Sequence, residues 1–155
     1  MSEPDHTVKP PRWIKPMNRL LLAVRRLGGM RDLPVLTVAG RRSGKPRSTP
    51  LTVVTLDGNR YLLEGFPGAD WARNVRASGG RAQLAVGRAT EQVHLVELAP
   101  DAARPILRAW PEHSGSDGPK LMRDAGVVDD VTPDAFATLA GRCTVFRVES
   151  PPVTR

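Results

Sequence analysis

The chain after Pro34 consists mainly of short apolar runs and of stretches in which apolar and polar residues alternate. This two-residue period is typical of strands that bury one face. The pattern predicts six strands, which are LPVLTVAG, STPLTVVTL, RYLLE, RAQLAVG, ATEQVHLVEL and CTVFRVE. The first two flank a glycine-containing turn and are expected to pair, and Asp57–Asn59 predicts a tight hairpin turn after the second.

The segment before Pro34 has a helical period instead. Its apolar residues recur on one helix face, and most of its cations fall on the opposite face. The apolar positions are Met17, Leu20, Leu21, Val24 and Leu27, and the opposite cations are Arg12, Lys15, Arg19 and Arg26. We predict a basic amphipathic helix over residues 12–29, which ends at two glycines, and a disordered lead-in over residues 1–11.

Short helices are predicted between the strands. Asp70 is expected to cap a helix that begins at Trp71 and ends at Ser78–Gly80. Part of PDAARPILRAW is also expected to be helical. TPDAFATLAG predicts a further helix, with Thr132 as its N-cap and Pro133 in its first position.

Length and pattern together predict the fold class. A chain of 155 residues suits one domain, which we place at residues 12–155. Six strands with few long helices predict a mainly β fold of the α+β class, a small β-barrel with short peripheral helices. Cys143, the one cysteine, is expected to be a buried small hydrophobe. The three histidines lack metal-ligand spacing, so no metal site is predicted.

The formal net charge is +7, and the excess lies in the first third of the chain. Residues 1–47 hold 11 Lys and Arg against 3 Asp and Glu, whereas the remaining residues hold 12 against 13. This asymmetry indicates a local anionic partner: a phosphate-bearing ligand, a membrane surface or a nucleic acid. Nucleic acid is disfavoured because no stacking aromatic residues are interleaved with these cations.

The amphipathic helix has two interpretations. It either packs on the domain with its charged face in solvent, or residues 12–27 contact a membrane surface with Trp13 as an interfacial anchor. The apolar run Leu20–Val24 is far too short to span a bilayer, which needs about 20 residues. Since no signal-peptide pattern is present, the expected location is the cytoplasm, with any peripheral contact on the inner face of the cell membrane.

The stretch GRRSGKPRSTPL concentrates candidate binding chemistry at one turn. Gly40 and Gly44 permit positive φ, and Gly44 lets a ligand approach the backbone. Guanidinium groups bind phosphate through two parallel hydrogen bonds, an ammonium adds a compact charge, and a serine hydroxyl adds a donor. The residues with these groups are Arg41, Arg42, Ser43, Lys45 and Arg47. The spacing excludes a P-loop and a nucleophile elbow. The turn is therefore either an anion site of another kind or a basic hairpin tip exposed to solvent.

A second candidate segment is FPGADWARNVRASGG. Its loop contains Gly65 and Gly68 and precedes a helix N-terminus, whose backbone N–H groups can meet an acceptor. Trp71 and Asn74 share one helix face because they are three residues apart. That face either lies along a flat ligand or places Trp71 in the core.

Together, GRRSGKPRSTPL, the hairpin after it and DWARNVRA resemble the actinobacterial deazaflavin (F420)-dependent nitroreductase and quinone reductase family. The resemblance covers about residues 13–87, and the closing RCTVFRVE adds weaker support. It implies a split β-barrel, a fold shared with flavin-binding relatives. It also implies that the protein binds the reduced coenzyme F420, with FMN as the alternative cofactor.

By position, the resemblance implies three groups of coenzyme-binding residues. The phosphate and acidic tail of F420 would meet the basic turn: Arg41, Arg42, Ser43, Gly44, Lys45 and Arg47. The deazaflavin ring would lie beside Thr49 and Pro50, over the loop with Gly65 and Phe66, with Asp70, Trp71 and Asn74 beyond. Phe66 stands near the place where the family often carries a lysine, and Tyr61 is the one tyrosine.

The function implied by the resemblance is that of an oxidoreductase with a small-molecule electron acceptor. It would transfer a hydride from F420H2 to a quinone, a nitro compound or another electron-poor organic acceptor. Because the coenzyme carries the hydride, no catalytic side chain is predicted. The alternative is a barrel at the membrane surface that binds FMN, haem or a fatty acyl chain. The sequence leaves the oligomeric state open.

Overall fold

Seven antiparallel strands form one sheet in the computed structural model, which describes residues 15, 18, 19, 22 and 33–152. The strands are β1 (Val35–Ala39), β2 (Pro46–Pro50), β3 (Val54–Leu56), β4 (Asn59–Leu63), β5 (Arg81–Val86), β6 (Ala89–Glu97) and β7 (Val145–Glu149). Their order across the sheet is β2-β1-β5-β6-β7-β4-β3, so β2 and β3 are the edge strands. The mainly β fold predicted from the alternation is confirmed.

The two edge strands follow one another in the chain, and this forces the sheet to curl. Seven strands laid flat would separate the edges by about 29 Å, because neighbouring strands lie about 4.8 Å apart. The connection from Pro50 to Val54 spans at most about 14 Å even when it is fully extended. The sheet therefore bends into a half-barrel in which β2 and β3 approach each other.

One predicted strand is split in two, so the prediction of a continuous strand over residues 48–56 is wrong. The three residues between β2 and β3 belong to no strand. β2 pairs with β1 as far as Val35↔Pro50, and one more hydrogen bond joins the Leu51 amide to the Pro34 carbonyl at 3.0 Å. Beyond this point β1 offers no partner, so the chain crosses over and pairs with β4 instead.

The tight turn predicted after the second strand is confirmed. Asp57 and Gly58 form a two-residue turn between β3 and β4, with φ angles of 50° and 81°. Positive φ at both positions is the type I′ geometry, whose twist matches that of the flanking strands. The turn thereby fixes the register in which β4 presents its side chains to the two faces of the sheet.

Four helices lie within residues 33–152. They are α1 (Asp70–Ala77), α2 (Pro100–His113), α3 (Asp117–Asp124) and α4 (Pro133–Ala137). The predicted Thr132 cap is confirmed, since its hydroxyl accepts a hydrogen bond from the Ala135 amide at 3.1 Å. The predicted Asp70 cap is wrong, because α1 begins at Asp70 and the cap position, Ala69, makes no side-chain cap bond. The sequence pattern missed α3.

The N-terminal helix is described at only a few positions, all of which are helical: Lys15, Asn18, Arg19 and Leu22. The rest of residues 12–29 and the predicted lead-in, residues 1–11, lie outside the described residues. Among the described residues, no helix is both long and apolar enough to cross a membrane.

Side chains on the two faces of the sheet form two apolar cores. The barrel core lies on the face that α1 covers, and its buried residues are Leu36, Val38, Leu62, Ala72, Val75, Ala82, Leu84, Val93, Leu95, Phe146 and Val148. The helical core lies beneath α2, α3 and α4, and its buried residues are Val54, Tyr61, Leu63, Ala103, Leu107, Trp110, Met122, Val127, Val128, Phe136, Leu139, Cys143 and Val145. Successive residues of β4 point to opposite cores, which is why its apolar run is continuous.

Cys143 is buried in the helical core, as predicted, with 1% of its surface exposed. Removal from water disfavours the thiolate and raises the pKa of the thiol to about 12. Its sulfur lies 3.9 Å from the Gly65 carbonyl oxygen, towards which the S–H can donate. The thiol therefore stays protonated at neutral pH and serves as a small packing group.

The junction of α1 and β5 places different demands on two adjacent glycines. Gly79 and Gly80 have φ angles of 68° and 88°, so a side chain at either position would be strained by the left-handed backbone. A Cβ on Gly79 would meet nothing within 4 Å. A Cβ on Gly80 would lie 2.6 Å from the Leu95 carbonyl oxygen, which belongs to β6.

We expect Gly79→Ala to lower the free energy of unfolding by about 1–2 kcal/mol through backbone strain alone. Gly80→Ala should lower it by about 1–3 kcal/mol more, because β6 has to shift to make room for the methyl group. Urea unfolding followed by tryptophan fluorescence measures both losses. Equal losses in the two variants would contradict the close approach of Gly80 to β6.

Candidate functional site

The turn between β1 and β2 is closed by its own backbone. The Gly40 amide donates to the Lys45 carbonyl, and the Gly44 amide donates to the Gly40 carbonyl, both at 2.8 Å. Ser43 Oγ accepts a hydrogen bond from the Lys45 amide at 3.2 Å. Gly44 has a φ of 72°, and a Cβ there would meet nothing within 4 Å, so a ligand can approach this side of the turn.

Arg41 docks this turn onto α1. Asn74 Oδ1 accepts two hydrogen bonds from Arg41, one from its backbone amide at 3.1 Å and one from Nη1 at 2.9 Å. The guanidinium also donates from Nη2 to Asp70 Oδ1 at 3.1 Å. Asn74 is 5% exposed and the Arg41 side chain 25% exposed. The predicted basic turn and the predicted helix are therefore in direct contact, and Arg41 joins them.

Asp70 faces cations instead of capping α1. Its Oδ1 accepts from Arg41, and its Oδ2 lies 3.9 Å from Lys15 Nζ. The predicted cap is absent because Asp70 is the first residue of α1 and not the residue before it. Its negative charge still stabilises the positive end of the helix dipole.

Three cations of the turn region are exposed to solvent, namely Arg42, Lys45 and Arg47. Within the described part of the chain, none of the three forms an ion pair with a carboxylate. Like charges held this close repel each other, and an anion bound among them would relieve the repulsion. The turn thus combines positive charge, an accessible backbone at Gly44 and a firm attachment to α1.

Arg47 and Thr49 point to the side of the sheet that α1 covers. They pair with Val38 and Leu36 of β1, and directly opposite residues of an antiparallel pair share a face. Both β1 residues belong to the barrel core. Thr49 and its neighbour Pro50 are half-buried, so β2 continues from the cationic turn into a less exposed surface.

The loop between β4 and α1 rests on the helical core. Gly65 and Phe66 are half-buried, and Phe66 packs against that core. A Cβ on Gly65 would lie 3.1 Å from Met122 Sδ, so glycine allows the loop to approach α3 closely. Met122 itself is 4% exposed, which fits packing in the core rather than the lining of a pocket.

Trp71 lies between the candidate site and the core. It is half-buried and packs against the barrel core, with its ring centroid 5.5 Å from that of Phe146 and the rings tilted by 56°. Of the two interpretations that the sequence allows, packing in the core is the one with an observed contact. The part of the ring that solvent reaches remains available to a ligand.

Residues 18–118 match the model of the F420H(2)-dependent quinone reductase family. The chain belongs to this family. The match confirms the resemblance based on the basic turn and DWARNVRA, and it identifies the chain as an oxidoreductase whose coenzyme is F420. Within the chain it covers β1 to β6 together with α1 and α2.

This F420H(2)-dependent quinone reductase family member is also similar to several solved structures. The conserved hypothetical protein Rv2991 from Mycobacterium tuberculosis aligns at 13% identity with a TM-score of 0.50, over 97% of this chain and 87% of that chain. An F420-H2 dependent reductase, FDR-A, aligns at 24% identity with a TM-score of 0.46, over 77% and 95%. A FAD-binding protein from Mesorhizobium loti aligns at 15% identity with a TM-score of 0.48, over 84% and 89%. The likeness to Rv2991 concerns the fold alone, and the predicted split β-barrel is confirmed. No curated protein matches the chain in sequence.

The cations of the turn fit the coenzyme of an F420H(2)-dependent quinone reductase, since F420 carries a phosphate and an acidic tail. The resemblance assigned four cations to those groups without distinguishing among them. Arg41 has its guanidinium bound to Asn74 and Asp70, whereas Arg42, Lys45 and Arg47 form no ion pair with a carboxylate among the described residues. The cation set therefore divides into one residue that builds the turn and three that are free to meet an anion.

A polar cluster behind the site was not predicted from the sequence. Glu64, 2% exposed, accepts hydrogen bonds from Arg76 Nη2 and from the Gly68 amide, both at 3.0 Å. Arg76 also donates to Glu97 at 2.8 Å and to Thr144 at 3.2 Å. Burial would lower the pKa of Arg76, but its hydrogen bonds to Glu64 and Glu97 outweigh this and raise it. The only sequence signal was an acidic residue directly after the apolar strand residues of RYLLE.

Two clefts lie beside this cluster rather than at the turn. One of about 450 Å³ borders the start of α2, one of about 210 Å³ borders the end of α1, and Glu97 lines both. None of the predicted coenzyme-binding residues lines either cleft. The candidate site in the described chain is therefore assigned on charge and hydrogen-bonding chemistry, not on the size of a cavity.

We expect Asn74→Ala to lower the free energy of unfolding by about 1–3 kcal/mol, because it leaves the backbone amide and Nη1 of Arg41 without their acceptor. Asp70→Asn is the matched control, since it removes the charge from the exposed partner of the same guanidinium and should cost less than about 1 kcal/mol. Urea unfolding of the two variants gives both values. A loss in Asn74→Ala no larger than that in the control would show that Asn74 does not hold the turn.

Proposed function

We propose that this protein reduces a quinone, a nitro compound or another electron-poor organic acceptor with F420H2. The observation that carries the proposal is the turn between β1 and β2. It presents three exposed cations and an open glycine backbone, and it is fixed to the start of α1 through Arg41. These are the features that an anionic coenzyme requires of a protein surface.

In this proposal the turn binds the phosphate and acidic tail of the coenzyme. Arg42, Lys45 and Arg47 supply the charge, and Ser43 with the backbone at Gly44 supplies further contacts. Support comes from the exposure of these groups and from the absence of acidic partners for the three cations within the described residues. Arg41 contributes by fixing the turn, through its bonds to Asn74 and Asp70.

The ring of the coenzyme would follow the face of β2 and the start of α1. Thr49 and Pro50 are half-buried there, and Trp71 is half-buried above the barrel core. Gly65 and Phe66 would form the floor, supported from below by the helical core. Such a surface can orient a flat ring and limit the access of water to it.

When bound, F420H2 supplies the hydride itself. The work left to the chain is to bind the coenzyme, to orient its ring and to shield the reacting face from solvent. No acid–base side chain is assigned to the reaction. Cys143 is an unsuitable candidate, because its raised pKa, about 12, keeps the thiol protonated.

Fluorescence titration with F420 tests the proposal, and we expect binding at micromolar concentration with weaker binding of FMN. Arg42→Ala and Lys45→Ala should each raise the Kd for F420 about tenfold at low salt, as loss of one charge-assisted hydrogen bond predicts. The effect should shrink as salt screens the charges. Failure of the unchanged protein to bind F420 at micromolar concentration would refute the proposed function.

Arg88→Ala is the matched control for these variants. Arg88 is an exposed arginine in the β5–β6 turn, and that turn lies at the opposite end of β1 from the cationic turn. Its loss changes the net charge equally but should leave the Kd within about twofold of the unchanged protein. An equal loss of affinity in Arg88→Ala would point to net charge rather than to a site at the turn.

We also propose peripheral contact with a membrane surface through residues 12–27. Support comes from the basic amphipathic pattern of this segment and from the helical state of its described residues, of which Lys15 and Arg19 are exposed. A helix of this kind gains affinity for anionic lipid from its cations and from its apolar face. Quinones dissolve in membranes, so such contact would bring the protein to one class of acceptor.

Vesicle co-sedimentation of the full chain tests the membrane proposal. We expect binding to anionic vesicles that is weakened by the double substitution Arg19→Glu and Arg26→Glu, which reverses charge on the polar face of the helix. Arg81→Glu with Arg88→Glu makes the same change in net charge on β5 and its turn. Equal sedimentation of both variants, or none by the unchanged chain, would contradict the proposal.

A further inference from the structure

Glu64 is a buried carboxylate to which no coenzyme contact is assigned. It directly follows β4 and is 2% exposed. Burial of a carboxylate is costly unless hydrogen bonds compensate for the lost hydration. Here each oxygen has its own donor, because Oε1 accepts from Arg76 Nη2 and Oε2 accepts from the Gly68 amide, both at 3.0 Å.

The bond to Gly68 fixes the loop that joins β4 to α1. Gly68 has a φ of 87°, a conformation in which its N–H can turn back towards the strand. The same loop is closed by a hydrogen bond from the Ala69 amide to the Phe66 carbonyl at 3.1 Å. The Glu64 carboxylate thus holds the loop from its strand end, just before α1 begins.

The bond to Arg76 anchors the carboxylate to the rest of the fold. Arg76 is held in turn by Glu97 Oε1 and Thr144 Oγ1. The backbone adds a further tie, since the Glu64 amide donates to the Thr144 carbonyl at 2.9 Å. Glu64 therefore connects the loop to α1, β6 and the start of β7, which are all parts of the rigid sheet assembly.

We propose that Glu64 is a positioning residue, whose two hydrogen bonds hold the Gly65–Ala69 loop in the shape that receives the ring of the coenzyme. The inference rests on the proposed function, because it takes the loop as the floor beneath that ring. Glu64 acts through the Gly68 amide and does not contact the coenzyme. Arg76 has the same positioning role. Its guanidinium donates hydrogen bonds to protein acceptors and is not assigned to the acidic tail of the coenzyme.

Glu64→Gln is the sharpest test, because it keeps the size of the side chain but removes one of the two acceptors. One donor then faces an NH2 group instead of an oxygen. We expect the Kd for F420 to rise about tenfold, equivalent to about 1.4 kcal/mol. The KM for F420H2 should rise with it, whereas the KM for the acceptor should stay unchanged.

Glu97→Gln is the matched control. It alters another carboxylate partner of the same guanidinium but has no contact with the loop. We expect its Kd for F420 to stay within about twofold of the unchanged protein, as for an ordinary surface substitution. An unchanged Kd in Glu64→Gln despite a lower Tm would assign Glu64 a purely structural role and overturn the proposal.

Hydrogen exchange at the Gly68 amide gives a readout without coenzyme. In the unchanged protein this amide should exchange slowly, and in Glu64→Gln faster, whereas Glu97→Gln should leave it slow. Rapid exchange in the unchanged protein would overturn the inference even if the Glu64 variant fails to fold. Slow exchange of the Gly68 amide in a protein that does not bind F420 would refute the proposed function and the role of the loop in coenzyme binding. The hydrogen bond from Gly68 to Glu64 would then still hold the loop.

Discussion

The two hydrogen bonds that Asn74 Oδ1 accepts from Arg41 are the contact on which the candidate site depends. One comes from the backbone of the turn and one from the guanidinium, so a single buried oxygen fixes both the path of the chain and the direction of a side chain. Without this contact the turn would be an exposed hairpin tip whose like charges repel. With this contact the turn is attached to α1, and its three remaining cations are exposed to solvent.

The helix that receives the turn is itself held at both ends. α1 has only eight residues, too few to be stable in isolation, so its stability comes from its neighbours. Ala72 and Val75 bury its apolar side in the barrel core. Arg41 binds its first half, whereas Glu64 and Glu97 bind Arg76 in its second half. The turn, the loop and the helix therefore share one rigid support, which suits a protein whose coenzyme supplies the chemistry and whose own task is orientation.

The curl of the sheet brings the parts of the candidate site together. β2 leaves the cationic turn as an edge strand, and after three residues the chain re-enters the sheet as the other edge strand, β3. This short connection obliges the strands between to bend, and it brings β2, with Arg47 and Thr49 beside α1, back towards β3 and β4. The Gly65 loop begins after β4 and rests on the helical core.

The sequence by itself determined the features that depend on near neighbours. Alternation predicted the strands, Asp57 and Gly58 predicted their turn, and Thr132 predicted a helix start. The anion site indicated by the crowded cations stays a prediction. Only the tertiary structure decided which cation of the turn binds other parts of the protein. Arg41 and Asn74 lie 33 residues apart in the chain and become hydrogen-bond partners only when the sheet places them together. The same holds for the split of the second strand, which ends where its partner ends, and for Glu64, whose burial depends on donors from Gly68 and from Arg76 twelve residues further on. Local patterns record propensity and period, whereas hydrogen-bond partners and burial are properties of the folded chain.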